Sequence, residues 1–318
     1  MSIQGKKVGF ILPQSEGGMG GETARGTDIL ALAKFGEALD FDSVWVVDHF
    51  LWNVVDLEHL DEIPPKGAET LRLGFWECWT LASALAAATS RIEIGTLVTN
   101  TGYRNPALLA RMAETVDEIS GGRLILGVGA GAIAGEYEAF GYQFERRITR
   151  FEEALQIIRP MLRGEAVTFD GEFYHTRNAE LIPKGPRPHG PPILIGVLKG
   201  GPRMKRLAVE YADHWNCWLP WLDSRVETYR EAYREIVEAC EKHGREPATL
   251  RKNVAIAICF AGSKPTSPGA LPLMGSNAQI AEELARYLEE DVDHIVIKLH
   301  PMTQETIEKL AQIVEQLK

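Results

Sequence analysis

The sequence predicts an α/β fold, namely a (β/α)8 TIM barrel with insertions that forms a single domain over residues 1–318. Apolar segments rich in β-formers alternate about eight times with amphipathic helical segments, and short turns rich in glycine and proline separate them. The length of 318 residues suits one large barrel, which takes roughly 250 residues plus insertions. Neither an internal repeat nor an interior linker long enough to separate two domains occurs in the sequence.

One strand–helix–strand unit shows this pattern most clearly. Residues 91–98 are rich in β-formers and predict a buried strand. Asn105 and Pro106 predict a helix start, because asparagine caps helix N-termini and proline suits the first turn. Four apolar side chains at helical spacing predict its buried stripe: Leu108, Met112, Val116 and Ile119. Gly121 predicts the helix end, and residues 123–128 predict a second strand that lies parallel to the first.

The same signals predict the remaining elements in chain order. Further strands are predicted at residues 7–13, 43–47, 193–197, 214–218, 253–260 and 294–299. Further helices are predicted at residues 28–39, 80–89, 150–162, 200–211, 226–243, 278–288 and 304–317. A hairpin is predicted at 167–174, where Asp170 and Gly171 suit a tight primed turn. Residues 50–75 are predicted to form a long irregular loop, which is typical of a functional segment.

Composition and charge argue against several classes of protein. The net charge of −10 is unlike the basic surface that general nucleic-acid binding requires. No apolar run reaches the length of a membrane span, and the first residues carry no signal-peptide hydrophobic region. The histidines form no H-x-H or H-E-x-x-H motif, and no C-x-x-C pair occurs among the cysteines, which are Cys78, Cys217, Cys240 and Cys259. We therefore expect a cytoplasmic protein with reduced thiols, without bound metal and without a nucleic-acid or membrane partner.

Asp48 and His49 end the second predicted strand, at the carboxyl edge where parallel barrels bind their ligands. Histidine can act as an acid, a base or a neutral donor near neutral pH, so the pair is a candidate catalytic site. An aspartate that caps a turn beside a hydrogen-bonded histidine fits the same spacing equally well.

The glycine-rich turn at 127–132 matches the dinucleotide pattern G-x-G-x-x-G/A only loosely. A dinucleotide site follows the first strand and places an acidic residue at a strand end about 20 positions on. Glu152 and Glu153 stand near that spacing, but they fall in a helical pattern. We therefore expect these glycines to admit a planar ligand or a tightly packed neighbour, and a turn needed only for packing is the competing explanation.

A second turn places four cations at a helix start: Lys199, Arg203, Lys205 and Arg206. Free backbone N–H groups and the helix dipole make such a start an anion site, which favours a phosphate over an ordinary turn with solvated cations. Glu77, at another helix start, is expected to be structural for the same reason. Five tryptophans are candidates for the wall of an aromatic pocket or for the core: Trp76, Trp79, Trp215, Trp218 and Trp221.

These motifs together resemble the luciferase-like monooxygenase superfamily, and within it the oxidoreductases that depend on the deazaflavin coenzyme F420. The resemblance is carried by SVWVVDHF at 43–50, GTLVTNTGYRNPALL at 95–109, SGGRLILGVGAG at 120–131, EY at 136–137, FG at 140–141, PILIG at 192–196, GGPR at 200–203 and YADHWN at 211–216. It extends over nearly the whole chain. The motifs are specific for the superfamily and less specific for the flavin, so FMN is the alternative cofactor.

The resemblance implies a luciferase-like barrel that holds the cofactor ring at its carboxyl end. It implies a non-proline cis peptide bond between Leu97 and Val98 behind one face of the ring, and it places Asp48 and His49 near the redox centre, with the histidine as donor or base. The implied cofactor-binding residues are Leu97, Val98, Thr99, Asn100, Gly129, Gly131 and Glu136 around the ring, with Lys199, Gly200, Gly201, Pro202 and Arg203 in the phosphate turn. The resemblance also implies a homodimer, and the alanine-rich helix at 80–89 is consistent with one.

Two features depart from the family pattern. Val197, Leu198 and Lys199 precede Gly200 where many relatives have further glycines, and Ala132 stands where relatives that oxidise a sugar phosphate carry an acid. The predicted function is hydride transfer between F420 and a small organic substrate, and a sugar-phosphate substrate is not carried over. The alternatives are an FMN-dependent monooxygenase supplied with flavin by a separate reductase, and a flavin-binding protein without turnover.

Overall fold

The computed structural model describes residues 2–53, 72–198, 200–263 and 270–318. Its strands are β1 (Lys7–Ile11), β2 (Ser43–Val46), β3 (Leu51–Asn53), β4 (Arg72–Gly74), β5 (Glu93–Thr96), β6 (Thr99–Asn100), β7 (Leu124–Gly129), β8 (Val167–Asp170), β9 (His175–Ala179), β10 (Ile193–Gly196), β11 (His214–Trp218), β12 (Arg251–Cys259) and β13 (His294–His300). Its α-helices are α1 (Gly26–Ala38), α2 (Cys78–Ala88), α3 (Pro106–Ser120), α4 (Ala134–Ala139), α5 (Arg147–Leu162), α6 (Pro202–Tyr211), α7 (Val226–Lys242), α8 (Asn277–Glu289) and α9 (Gln304–Glu315).

Eight parallel strands close into a barrel in the order β1, β2, β5, β7, β10, β11, β12, β13. The pairing of β7 with β10 and that of β13 with β1 complete the circle. Helices follow the strands around the barrel, and the carboxyl ends of all eight strands therefore meet at one rim. The predicted (β/α)8 barrel is confirmed.

The interior of the barrel is packed with side chains. Trp45 is fully buried at its centre, and Gly95 on the next strand makes room for it, because a Cβ at Gly95 would lie 2.0 Å from the Trp45 ring. Below it, Ser43 Oγ accepts a hydrogen bond from Trp45 Nε1 at 2.7 Å and lies 2.7 Å from His294 Nε2. Six apolar side chains pack around Trp45 in the interior: Ile11, Leu97, Ile125, Leu194, Ala255 and Val296.

Helix α3 begins and ends where the sequence predicts. Asn105 caps it, since its side-chain oxygen accepts hydrogen bonds from the N–H groups of Ala107 and Leu108, and Pro106 occupies the first turn. Gly121 terminates the helix with a φ of +68°, a left-handed conformation that glycine adopts without strain.

The buried stripe of α3, however, agrees with the predicted one only in part. Leu108 and Ile119 are 53% and 47% exposed, and the buried apolar side chains are Leu109, Ala110, Ala113 and Val116. The prediction was wrong at Leu108 and Ile119 because it treated polar positions as solvated, whereas Val116 is buried as predicted. Glu114 and Asp117 are buried and form ion pairs with the connector at 184–187, which turns their side of the helix inward.

The predicted hairpin is present, but its turn is longer than expected. Asp170 of β8 lies opposite His175 of β9, so four residues at 171–174 connect the strands rather than a two-residue primed turn. The carboxylate of Glu153 accepts hydrogen bonds from three successive backbone N–H groups of this loop, at 2.8, 2.9 and 3.1 Å. These hydrogen bonds stabilise the longer loop.

The segment predicted as an irregular loop at 50–75 contains regular structure at both ends. Strands β3 and β4 pair antiparallel there, with Trp52 opposite Leu73. Residues 54–71 lie outside the described residues. The prediction was therefore wrong at the two ends of the segment, where three-residue strands are too short to give a periodic pattern.

Candidate active site

A cavity of about 610 Å³ opens at the carboxyl rim of the barrel. Eight of the residues singled out in the sequence line it: Asp48, His49, Leu97, Val98, Asn100, Gly129, Gly131 and Glu136. Five others do not belong to its lining: Thr99, Gly200, Gly201, Pro202 and Arg203. Lys199 lies outside the described residues. The structure thus brings the Asp-His pair and the glycine turn to one cavity.

The Leu97–Val98 peptide bond is cis, as the resemblance implies. The Val98 side chain packs against the glycine turn, and a Cβ at Gly129 would lie 2.7 Å from one of its methyl groups. Gly131 has a φ of +76°, and a Cβ there would lie 2.2 Å from the Tyr137 hydroxyl. Tightly packed neighbours therefore explain why both positions are glycine.

Gly196, at the end of β10, differs from these two glycines. It lines the cavity, and a Cβ placed on it would meet its nearest protein atom, in Val98, only at 3.7 Å. That separation is ordinary van der Waals contact, so protein packing would accept a side chain here. The absence of a side chain at Gly196 leaves space in the cavity instead.

His49 is held by a buried carboxylate from a different part of the chain. Its Nδ1 lies 2.8 Å from Oε2 of Glu136, whose side chain is 1% exposed. The same carboxylate accepts hydrogen bonds from the N–H groups of Phe50 and Leu51, at 2.7 and 3.1 Å, and from the Tyr103 hydroxyl at 3.1 Å. Glu136 thus has a full set of partners within the protein, and its carboxylate orients His49.

These hydrogen bonds also determine the charge of Glu136. Burial by itself would raise the pKa of Glu136, but the hydrogen bonds from His49 and from two backbone N–H groups outweigh burial and lower that pKa below its ordinary value. The ionised carboxylate favours a proton on Nδ1 of the imidazole. Nε2 is then the ring nitrogen that can exchange a proton with a ligand in the cavity.

Asp48 has a different environment from its neighbour in sequence. Its carboxylate accepts two hydrogen bonds from the Arg104 guanidinium, at 2.5 and 2.9 Å, and one from Asn100 N at 2.9 Å. Burial raises the pKa of Asp48, and the Arg104 guanidinium opposes that rise. Arg104 also donates a hydrogen bond to Glu77 at 2.7 Å. Glu77 accepts another from Thr80 N and so caps α2, in agreement with the structural role predicted for it.

The cations of the predicted phosphate turn are engaged with carboxylates of the chain itself. Arg203 and Arg206 both donate to Glu152, and Lys205 forms a 2.7 Å ion pair with Glu235. Although Gly201 caps α6 beside the cavity, no charged side chain of the described part of this turn reaches the cavity lining. The first turn of α6 contributes only Met204 to that lining.

Two cations that the sequence analysis missed do line the cavity. Arg147, in the first turn of α5, donates from Nε to the carbonyl oxygen of Gly131 at 3.0 Å. Lys298, on β13, also lines the cavity, and burial lowers the pKa of Lys298 to about 8. The pair of arginines at 146–147 stands out in the sequence, but only the fold brings Arg147 to the glycine turn.

Aromatic side chains form one side of the cavity, only partly as predicted. Trp218 and Trp221 line it as candidate wall residues, and Trp52 and Phe75, which the sequence analysis missed, join them. The other three candidates lie elsewhere: Trp79 and Trp215 are buried in the core and Trp76 is 50% exposed.

Within the described residues, no group of three or more His, Cys, Asp or Glu side chains is placed to hold a metal ion. None of the helices in the described ranges is both long and apolar enough to cross a membrane.

A family model described as luciferase-like monooxygenase matches residues 6–266. The chain belongs to the luciferase-like monooxygenase family. This family member is 33% identical over 227 residues to a phthiodiolone/phenolphthiodiolone dimycocerosates ketoreductase of Mycobacterium tuberculosis, a match that covers 66% of the chain and 55% of the relative. It is 32% identical over 232 residues to a 5,10-methylenetetrahydromethanopterin reductase of Methanolobus tindarius, which covers 73% of the chain and 60% of that relative. The matches thus span little more than half the length of these curated relatives.

Solved structures of other proteins share the fold of this luciferase-like chain. An F420-dependent secondary alcohol dehydrogenase in complex with an F420–acetone adduct superimposes with a TM-score of 0.77 and 19% identity, covering 98% of this chain and 99% of that one. A riboflavin lyase with modified FMN and riboflavin gives a TM-score of 0.77 and 14% identity, covering 98% of this chain and 91% of that one. At these identities the likeness concerns the fold alone.

Proposed function

We propose that this luciferase-like protein is an oxidoreductase that transfers a hydride between coenzyme F420 and a small organic substrate. The observation that carries the proposal is His49 on the cavity wall, with Nδ1 bound to the buried Glu136. Two named reductases among the relatives and an F420-dependent dehydrogenase of the same fold support the reaction type and the cofactor. A proton and a hydride must both move when a carbonyl and an alcohol interconvert, and His49 is the group that would accept or donate the proton.

The cavity fits a flat tricyclic ring with a phosphate-bearing tail. Its volume of about 610 Å³ lies within the range of roughly 300–1,000 Å³ found for ligand pockets. Gly196 leaves free the space that a side chain would fill, and Val98 would support one face of the ring. Arg147 would hold the phosphate, because its side chain lines the cavity, whereas Arg203 is paired with Glu152 outside that lining.

When bound, F420 supplies the hydride chemistry, and the chain supplies binding, orientation and a proton site. His49 Nε2 accepts the hydroxyl proton of an alcohol as it is oxidised, and returns that proton to the oxygen when a carbonyl is reduced. Glu136 keeps the Nδ1 proton in place and stabilises the imidazolium that forms. We assign Asp48 a positioning role, since its carboxylate is engaged by Arg104 and by the N–H of Asn100.

Binding measurements with the purified protein test this function. Fluorescence titrations with F420 and with FMN should give a micromolar dissociation constant for F420. Replacing His49 by alanine should lower turnover more than F420 affinity. Binding of FMN without binding of F420 would refute the proposal, and unchanged turnover in the variant would remove His49 from the mechanism.

An FMN-dependent monooxygenase is the second candidate function. The family model and the structure with modified FMN favour it. Oxygen consumption with reduced FMN, and none with reduced F420, would select this alternative. A flavin-binding protein without turnover is the third candidate, and bound F420 without any F420-dependent turnover would favour it. The homodimer stays a prediction, for which analytical ultracentrifugation is the direct measurement.

A further inference from the structure

Four aromatic residues, which we call the aromatic wall, form one side of the cavity: Trp52, Phe75, Trp218 and Trp221. The ring of Trp221 lies 5.3 Å from that of Trp52 and 5.4 Å from that of Trp218. The His49 imidazole is nearly parallel to Trp52, at 11° and 6.1 Å, and lies 5.4 Å from Phe75. The wall thus offers flat apolar surfaces directly beside the proposed proton site.

The tryptophans of the wall differ from three other tryptophans in their hydrogen bonds. Trp45, Trp76 and Trp215 each donate the indole N–H to a protein oxygen atom, at 2.7 to 2.8 Å. Within the described residues, the buried indole N–H groups of the three tryptophans in the wall have no hydrogen-bond acceptor. The indole N–H of Trp79, in the core, also has none there. A buried donor without an acceptor is unfavourable. Three such tryptophans line one cavity, where their rings offer contact surface to a ligand.

A positive charge borders the same cavity. Lys298 follows Val296 by two positions on β13, so its side chain points to the barrel interior, where Val296 packs. Burial lowers the pKa of Lys298 to about 8, and at neutral pH the protonated form still predominates. A negatively charged group bound beside this ammonium would be stabilised by it.

The carboxylates that line the cavity have partners of their own. Asp48 accepts from Arg104, and Glu136 accepts from His49. Glu16 accepts from a backbone N–H at 2.8 Å. The cavity therefore combines a flat apolar side with a cationic group, and a ligand with complementary features has an aromatic ring and a carboxylate.

We propose that the aromatic wall and Lys298 form a substrate subsite for an aromatic carbonyl compound or alcohol that carries a carboxylate group. The aromatic ring of the substrate packs against Trp52 and Trp221, and its carboxylate binds the Lys298 ammonium. The inference rests on the proposed function, since it takes the space beside His49 to be the place where substrate reacts.

Binding of three small probes tests the subsite. Benzoate has the ring and the charge, benzyl alcohol has the ring alone, and acetate has the charge alone. Tryptophan fluorescence of the full chain is titrated with each probe, in the absence of cofactor and again with F420 present. We expect benzoate to bind at least about tenfold more tightly than either of the other two probes.

Variants identify the groups responsible. Lys298→Met should remove the preference for benzoate over benzyl alcohol, whereas Lys298→Arg should retain it. Trp221→Leu should weaken benzoate and benzyl alcohol to a similar degree. Two matched controls should leave all three affinities unchanged. They are Lys242→Met, at an exposed lysine, and Trp76→Leu, at a half-exposed tryptophan outside the cavity. Thermal melts confirm that each variant is folded.

Several results would overturn the subsite. Equal affinities for benzoate and benzyl alcohol would do so, as would the absence of benzoate binding both with and without F420. A Lys298→Met variant that lost F420 affinity but kept its benzoate affinity would assign the lysine to the cofactor instead. Benzoate binding in a protein that does not bind F420 would leave the subsite standing and remove only the proposed function.

Discussion

Replacing Glu136 by glutamine changes a charge but almost no shape, and this substitution tests how His49 is oriented. The carboxylate accepts from the N–H groups of Phe50 and Leu51 through one oxygen, and from His49 and the Tyr103 hydroxyl through the other. In a glutamine, the single oxygen would stay with the two backbone donors, and the NH2 group would face His49. The neutral imidazole must then accept at Nδ1 and carry its proton on Nε2.

The expected magnitudes follow from these contacts. The substitution replaces hydrogen bonds to a charged group, each of about 1.5–3 kcal/mol, by weaker ones to a neutral amide, which is also easier to bury. We therefore expect the free energy of unfolding to fall by about 1–3 kcal/mol. Because the tautomer needed for proton transfer is lost, turnover should fall by about 100-fold or more, since general acid–base catalysis contributes roughly 10²–10⁴-fold.

The pH dependence of this loss has a definite sign. In the folded protein the pKa of Glu136 is lowered, because hydrogen bonds from His49 and the backbone outweigh the effect of burial. The contribution of the ionised Glu136 to folding stability is therefore fully present above the ordinary pKa of a glutamate. It disappears as the pH falls through the lowered pKa of Glu136 in the folded protein. The stability difference between wild type and Glu136→Gln should shrink in acid and be largest near neutral pH.

Nitrogen NMR of protein labelled at histidine measures the tautomer without any substrate. The His49→Gln variant assigns the His49 resonances, and Glu138→Gln, an exposed glutamate on the same helix α4, is the matched control. In wild type the Nε2 resonance should have the shift of an unprotonated nitrogen, and in Glu136→Gln that of a protonated one. If the proton stayed on Nδ1 and the free energy of unfolding did not change, the proposed role of Glu136 would be refuted.

Three further substitutions have outcomes that follow from the cavity and its supports. Gly196→Val should fill space needed by the ring, so we expect F420 affinity to fall at least about tenfold with little change in melting temperature. The control is Gly26→Ala, at an exposed site where no atom lies near the added Cβ, and it should change neither the affinity nor the melting temperature. Arg147→Met should weaken F420 binding about tenfold and reduce its salt dependence, which titrations at two ionic strengths would measure. Asp48→Asn should lower the free energy of unfolding by about 3 kcal/mol in denaturant titrations, because it breaks a buried ion pair with Arg104; an unchanged stability would contradict the positioning role.

Elements whose signals are local could be predicted from the sequence. Asn105 and Gly121 act on backbone groups within a few residues, and both ends of α3 were placed correctly. The barrel strands are buried on both sides, so continuous apolar runs identify them. The stripe on α3 could not be predicted, because Glu114 and Asp117 are buried only through the charges of a connector about 70 residues away.

Site residues that depend on long-range contacts were harder to predict. The sequence marks Asp48 and His49 as candidates, but not their partners, and His49 and Glu136 stand 87 residues apart. Helix α4, which carries Glu136, has six residues and is too short for a periodic pattern. The cations at 203–206 were visible in the sequence, whereas their pairing with Glu152 depends on how α5 and α6 pack.

Two neighbouring carboxylates at the rim thus have different roles because their partners differ. Arg104 remains protonated at any ordinary pH, and its ion pair with Asp48, together with the hydrogen bond from Asn100 N, holds the end of β2 against β6. Around Glu136, burial and the nearby carboxylate raise the pKa of Tyr103 far above its ordinary value, so this hydroxyl stays a donor. The backbone N–H groups cannot titrate either. Of the five groups in this cluster, only the His49 imidazole combines a cavity-lining position with a second nitrogen, and we therefore assign the proposed proton transfer to His49 Nε2.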